Sequence, residues 1–185
     1  MPLQPRDRRT LLRIARDAAA AAARRERFSA PPPESAALRE PRGAFVTLHR
    51  SGTLRGCIGT FEASAPLYST VAEMARSAAV GDPRFEVLRP AELPEVEVEI
   101  SVLSPLRPAR AEEVVAGHHG VYLERGYQRG VLLPQVAVEH GWDRETFLEQ
   151  TCRKAGLPPG AWRHGTTIYV FEAEVFGEEA CEEGN

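Results

Sequence analysis

Lysine is almost missing from this chain: Lys154 is the only one among 23 basic residues, so arginine carries nearly all the positive charge. Cysteine is scarce as well. Cys57, Cys152 and Cys181 are an odd number without C-x-x-C spacing, which excludes a disulfide framework and a zinc knuckle and favours a reducing compartment; a cytoplasmic location is expected. No apolar run approaches membrane-spanning length. Arg13, Arg16 and Asp17 interrupt any signal-peptide core at the N-terminus. Neither G-x-G-x-x-G nor a P-loop occurs, so a nucleotide fold lacks its usual support. A net charge of −3 is not the basic stripe that a duplex-binding protein needs to neutralise phosphates, and nucleic-acid binding is the least favoured of the functions considered.

What is present is ordinary for a folded protein. The 185 residues, 43% hydrophobic and 26% charged, suit a single domain spanning 1–185, or two small lobes sharing a core. Charge is uneven: residues 1–27 hold eight arginines against three acids, while six glutamates and no lysine or arginine follow Arg163. The plain reading is a solvated helix face and an acidic tail.

Leu11, Ile14, Ala15, Ala18 and Ala22 recur at helical spacing and predict a first helix over residues 6–28, ending before Pro31. A core over 43–176 follows. Phe45, Val46 and Leu48 form a strand, and Ser51 with Gly52 turns it into a second strand from Thr53 to Ile58. Ser64 is placed as the N-cap of a helix striped by Leu67, Val71, Met74, Ala75 and Ala78, which Gly81 and Pro83 stop. Val96, Val98, Ile100 and Val102 alternate with Glu95, Glu97, Glu99 and Ser101, the clearest strand in the chain. Short strands at 121–123 and 131–133, a helix capped by Asp143 and a last strand over 167–176 complete the reading, leaving a polar, frayed tail at 177–185. Helices and antiparallel strands without a βαβ rhythm indicate an α+β fold, mainly antiparallel sheet flanked by helices.

The unusual segment is Leu54-Arg55-Gly56-Cys57-Ile58-Gly59. Glycine weakens a strand and is tolerated where another group comes close. If the segment is regularly extended, Arg55 and Cys57 share a face, so a guanidinium stands beside the thiol. Two readings stay open on the residues alone. In one, Arg55 raises the thiolate fraction of Cys57 or clamps an anion. In the other, Cys57 is a small buried hydrophobe and Arg55 an ordinary ion-pair partner. His118 and His119 are adjacent, are expected to face opposite ways, and do not form a metal-binding pair; no metal and no cofactor is expected. His119 is the candidate general base for Cys57. Cys152, on the apolar stripe of its helix, is assigned to the core.

The run GAFVTLHRSGTLRGCIGTF, then DPRF at Asp82–Phe85, EISVLSP at Glu99–Pro105, GVLLPQVA at Gly130–Ala137 and KAGLP at Lys154–Pro158 resemble, in this order, the AMMECR domain family. The prokaryotic form of that family is AmmeMemoRadiSam system protein A. The resemblance spans Leu11 to Phe176. It implies a two-lobed α/β fold with a smaller second lobe and the LRGCIG motif lining a cleft between the lobes. It also implies association with a Memo-type protein and a radical SAM protein. Arg55, Gly56, Gly59, Asp82, Arg84 and Glu99 are the candidate ligand-binding residues, Asp82 and Arg84 strengthened by the resemblance, with Cys57 and His119 as candidate catalytic residues. Glu86 and Val87 follow DPRF where proline is common in the family. The resemblance brings no established reaction, and whether the protein is an enzyme is left open. The leading function is thiol-dependent handling of an anionic small molecule or peptide; the rival is a non-catalytic adaptor for the Memo-type protein.

Overall fold

A computed structural model describes residues 2–178. In chain order its elements are α1 (Pro5–Ala23), α2 (Ala36–Arg39), β1 (Ala44–Arg50), β2 (Thr53–Thr60), α3 (Leu67–Val80), β3 (Val96–Leu103), β4 (Arg107–Ala109), β5 (Gly120–Arg125), β6 (Gln128–Leu132), α4 (Pro134–His140), α5 (Arg144–Lys154), β7 (Thr167–Phe171) and β8 (Ala173–Gly177). Short 3₁₀ turns at Pro90–Glu95, Ala111–Glu113 and Ala161–Arg163 connect them. The fold is mixed α and β with antiparallel sheets flanked by helices, as the sequence pattern indicates. The chain divides into two compact units, one formed by residues up to Leu103 and those from Glu174 on, the other by Ser104–Ala173. No helix among the described residues is long and apolar enough to cross a membrane.

The first unit is built on a sheet of order β2-β1-β3-β8. Ala44, Val46 and Leu48 of β1, with Val98, Ile100 and Val102 of β3, bury one face of it against Leu11 and Ala15 of α1 and Leu67, Val71 and Ala75 of α3. The alanines of α1 are what let two helices lie close over one small sheet; Ala15 and Ala75 are fully buried and Ala19 is 2% exposed. The predicted hairpin is present. Ser51 and Gly52 both have positive φ, 50° and 71°, the twist-matched geometry of a two-residue turn.

Three element ends differ from expectation for identifiable reasons. Helix α1 stops at Ala23, five residues short of the predicted 28. The backbone N–H of Arg25 donates to Ala22 and that of Glu26 to Ala21, with Arg25 at φ 59°. This is a Schellman stop whose left-handed residue is arginine instead of the usual glycine, so the sequence carries no signal for it. Ser64 does not cap α3: the helix begins after Pro66, and the N–H of Leu67 donates to the carbonyl of Glu40. The single strand predicted over 167–176 is two. Glu172 divides it, exchanging hydrogen bonds with Ser104, and β7 and β8 join different sheets.

The second unit holds a sheet of order β4-β7-β5-β6. Val121, Leu123, Ile168 and Val170 pack on Phe147, Leu148 and Cys152 of α5. Asp143 caps α5 as predicted, accepting from the N–H of Thr146 at 2.8 Å. Helices α2 and α4 and strand β4 were not foreseen. The tail expected to fray from Gly177 is tied down at its first charged residue: Glu178 accepts from the guanidinium of Arg16 and from the N–H of Val98. Cys181 lies outside the described residues.

Replacing Arg25 by glycine should raise stability by about 1 kcal/mol, because glycine adopts the left-handed conformation at no steric cost. Gly56→Ala should instead destabilise by about 2–3 kcal/mol, since its new carbon would meet the carbonyl oxygen of Ala78 at 2.2 Å and a helix backbone cannot step aside. Urea unfolding of the two variants against the parent checks both; a neutral Gly56→Ala would mean that α3 is free to shift.

Candidate functional site

Strand β2 is an edge strand, paired only with β1 in the order of its sheet. Gly56 lies opposite Leu48 and turns its Cα toward α3. Cys57 therefore faces the other side, opposite Thr47, which in turn lies opposite Glu99 of β3. The three form one row across the sheet, each partly buried. The Thr47 hydroxyl donates to the Cys57 Sγ at 3.2 Å. Gly59 continues the same face one step on, and a carbon built there would lie 2.1 Å from Phe45 Cγ. Both glycines are thus explained by close approach of the protein's own atoms, a helix at Gly56 and a ring at Gly59.

The alternation that would set Arg55 beside the thiol is broken. Leu48 pairs with Gly56 and His49 with Leu54, so Arg55 is the extra residue of a β-bulge. Its Nε and Nη2 donate to the two carboxylate oxygens of Glu92 at 3.0 and 3.2 Å, and its Nη1 donates to the Glu86 carbonyl at 2.9 Å. Glu92, 4% exposed, also accepts from Arg50 and from the N–H of Arg89. The bidentate Arg55 contact, with these further donors, brings its pKa down from 4.5 to about 2. This buried carboxylate was missed in the sequence, where Glu92 stands in PAELPE with no periodic signal.

The guanidinium that does stand at Cys57 is that of Arg84. Asp82, 5% exposed, accepts from the Cys57 N–H at 2.9 Å through Oδ2, and from Arg84 Nε at 3.0 Å and Nη2 at 2.8 Å. Arg84 Nη2 also donates to the Cys57 carbonyl at 3.2 Å. The pair thus occupies both outward-pointing backbone groups of Cys57, as a neighbouring strand would, and seals the sheet edge there. Arg84 holds the Asp82 carboxyl well below the usual carboxylate range, against the opposing effect of burial. The Arg84 side chain itself is 56% exposed. Its Nη1 has no hydrogen-bond partner among the described residues.

The remaining candidates lie in the second unit. His118 and His119 do not face opposite ways: their rings are 4.9 Å apart, and with Glu172 they bring three ligand-type atoms within 4.8 Å of one another. Yet His119 Nδ1 accepts from the N–H of Val115 at 3.1 Å. Burial, then the neighbouring His118, lowers its pKa. A neutral imidazole accepting at Nδ1 carries its proton on Nε2, leaving no lone pair there for a metal or for a substrate proton. So held, His119 is a donor, and the general-base role expected of it is not available in this state. Cys152 is fully buried in the core as expected, and burial pushes its thiol pKa up.

Because the Glu92 pKa is lower in the folded protein than its ordinary value of 4.5, its ion-pair stabilisation is complete above that pH and is lost as pH falls toward about 2. The stability difference between the parent and Glu92→Gln should therefore shrink steadily across that window. A difference that stays constant there would mean that the carboxylate charge is not what holds Arg55.

These features occur in a chain with known relatives along nearly all its length. The AMMECR1 family model matches residues 12–176. A protein of Methanothermobacter thermautotrophicus is 44% identical over 187 residues, covering 96% of this chain and 97% of the relative. Protein MK0488 of Methanopyrus kandleri is 44% identical over 183 residues, covering 93% and 88%. The crystal structure of uncharacterized protein PH0010 from Pyrococcus horikoshii matches with a TM-score of 0.82 at 39% identity, over 91% of this chain and 90% of that one. A family match of that extent, with relatives of this identity and coverage, identifies the chain as belonging to the AMMECR1 family.

Proposed function

We propose that the Cys57 face of the first sheet is a thiol site, with Cys57 the nucleophile or sulfur carrier toward an anionic small molecule or peptide. One observation carries the reading: a single buried carboxylate, Asp82, bonds both the backbone N–H of Cys57 and the guanidinium of Arg84. It therefore holds a partly exposed thiol and a largely exposed cation in fixed relation. Arg84 supplies positive charge near the sulfur and its Nη1 as a donor for an anionic group. The Thr47 hydroxyl, already donating to Sγ, stabilises charge on sulfur further. Glu99, in the same row, is the group available to exchange a proton with a bound substrate. Arg55 serves the site indirectly, by locking the bulge to Glu92. On family grounds alone, the protein works beside a Memo-type protein and a radical SAM protein.

The test is a series of alkylation rates over about pH 6 to 9, read by peptide mass on the folded protein. Cys57 should label faster than Cys152. Arg84→Ala should slow Cys57 labelling about threefold or more at neutral pH, and Thr47→Val, which removes the donor to Sγ, should slow it as well. Arg55→Ala should lower stability more than it changes the rate. A Cys57 that stays unlabelled until the protein is denatured would sink the nucleophile role and leave the Asp82–Arg84 pair as an edge seal only, which is the adaptor reading.

A further inference from the structure

The first unit contains a cavity of about 1010 Å³ lined by the C-terminal half of α1, residues 25–30 and the length of α3, at the top of the ~300–1,000 Å³ range of small-molecule sites. Small side chains leave it room: Ala18 and Ala22 of α1 and Ala72 of α3 line it, together with Tyr68 and Val80 of α3. Phe28 and Val87, exposed apolar side chains, stand among its lining. Arg25, Arg27 and Arg76 line it too, against the two carboxylates Glu26 and Glu73. None of the three arginines has an ion-pair partner among the described residues.

Arg25 is the residue held at φ 59° in the stop of α1, where glycine is the default. An arginine kept in a conformation that costs stability, at the lining of an apolar cavity, is the signature of a side chain retained for what it contacts. We propose that this cavity binds an amphipathic anion: an acyl or aryl body against the alanine and aromatic walls, and a single carboxylate or phosphate head met by Arg25, Arg27 and Arg76. It shares no lining residue with the Cys57 row and stands or falls independently of it.

The test uses the full chain and three probes with the same tail, decanoate, decanol and decyltrimethylammonium, followed by calorimetry and backbone amide shifts. Decanoate should bind saturably, one per chain, about tenfold or more tighter than decyltrimethylammonium, with shifts confined to α1, α3 and residues 25–30. Arg27→Glu and Arg76→Glu, both at exposed positions, should each weaken decanoate several-fold and leave decanol unchanged. Arg25→Gly should melt higher yet bind decanoate more weakly, a pairing that a purely structural role for Arg25 does not produce. Ala72→Trp, which fills the cavity, should abolish binding; if it unfolds, the arginine variants decide. Equal binding of the cationic and anionic probes, shifts centred elsewhere, or Arg25→Gly with unchanged decanoate affinity would overturn the proposal.

Discussion

The close contact between α3 and the edge strand β2 governs the first unit. At Gly56 there is no room for a side-chain carbon, because the carbonyl of Ala78 occupies that volume. With the helix pressed there, its end two residues later delivers Asp82 to the backbone of Cys57, and Arg84 follows two residues on. The Leu88 N–H then returns to the Ala79 carbonyl, closing the connection around the same helix end. A larger residue at position 56 would push away the helix, and with it the carboxylate that positions both Cys57 and Arg84. The glycine before the cysteine is thus the condition for the site's geometry.

Two buried carboxylates sort the arginines around β2. Glu92 gathers Arg50, Arg55 and Arg89 at the bulge, while Asp82 takes Arg84 at the cysteine. Each satisfies its desolvated oxygens with several donors, the condition under which a buried charge is tolerable. The consequences differ. Around Glu92 the arginine with the most contacts, Arg55, is itself largely buried and spent, whereas Arg84 remains mostly in solvent with its Nη1 unpaired among the described residues. Arg89 is also exposed at Glu92, but only Arg84 holds its exposed charge against the backbone of Cys57.

Much of the architecture was legible because it follows from period and punctuation. The alternation of Val96 to Val102 gave β3, Ser51-Gly52 gave the hairpin, and Asp143 gave the start of α5. What was not legible depended on residues acting against type or at long range. Arg25 ends α1 in a conformation that glycine normally takes, and a residue 27 positions before Leu67, Glu40, supplies the carbonyl that starts α3 in place of Ser64. For the candidate site, LRGCIG and DPRF hold the residues that the fold brings together at Cys57, Asp82 and Arg84, but strict alternation set Arg55 in place of Arg84 beside the cysteine. A one-residue bulge leaves composition and spacing unchanged and is decided by Glu92, 37 residues downstream of Arg55.

Sealing a sheet edge and building a reactive thiol make different demands on the same residues. A seal needs an acceptor for the Cys57 N–H and a donor for its carbonyl, and Asp82 with Arg84 meets that need whatever side chain stands at position 57. Nothing in that role requires Thr47 to donate to the sulfur, or the sulfur to be reachable. Both hold here: Cys57 is only partly buried, in contrast to Cys152, which is fully enclosed with its pKa raised by burial. An exposed Arg84–Asp82 pair would contribute little on its own, but the burial of Asp82 makes its position costly to change. That stiffness is what the proposed thiol site would require, since a cation held still needs no reorganisation when charge develops beside it.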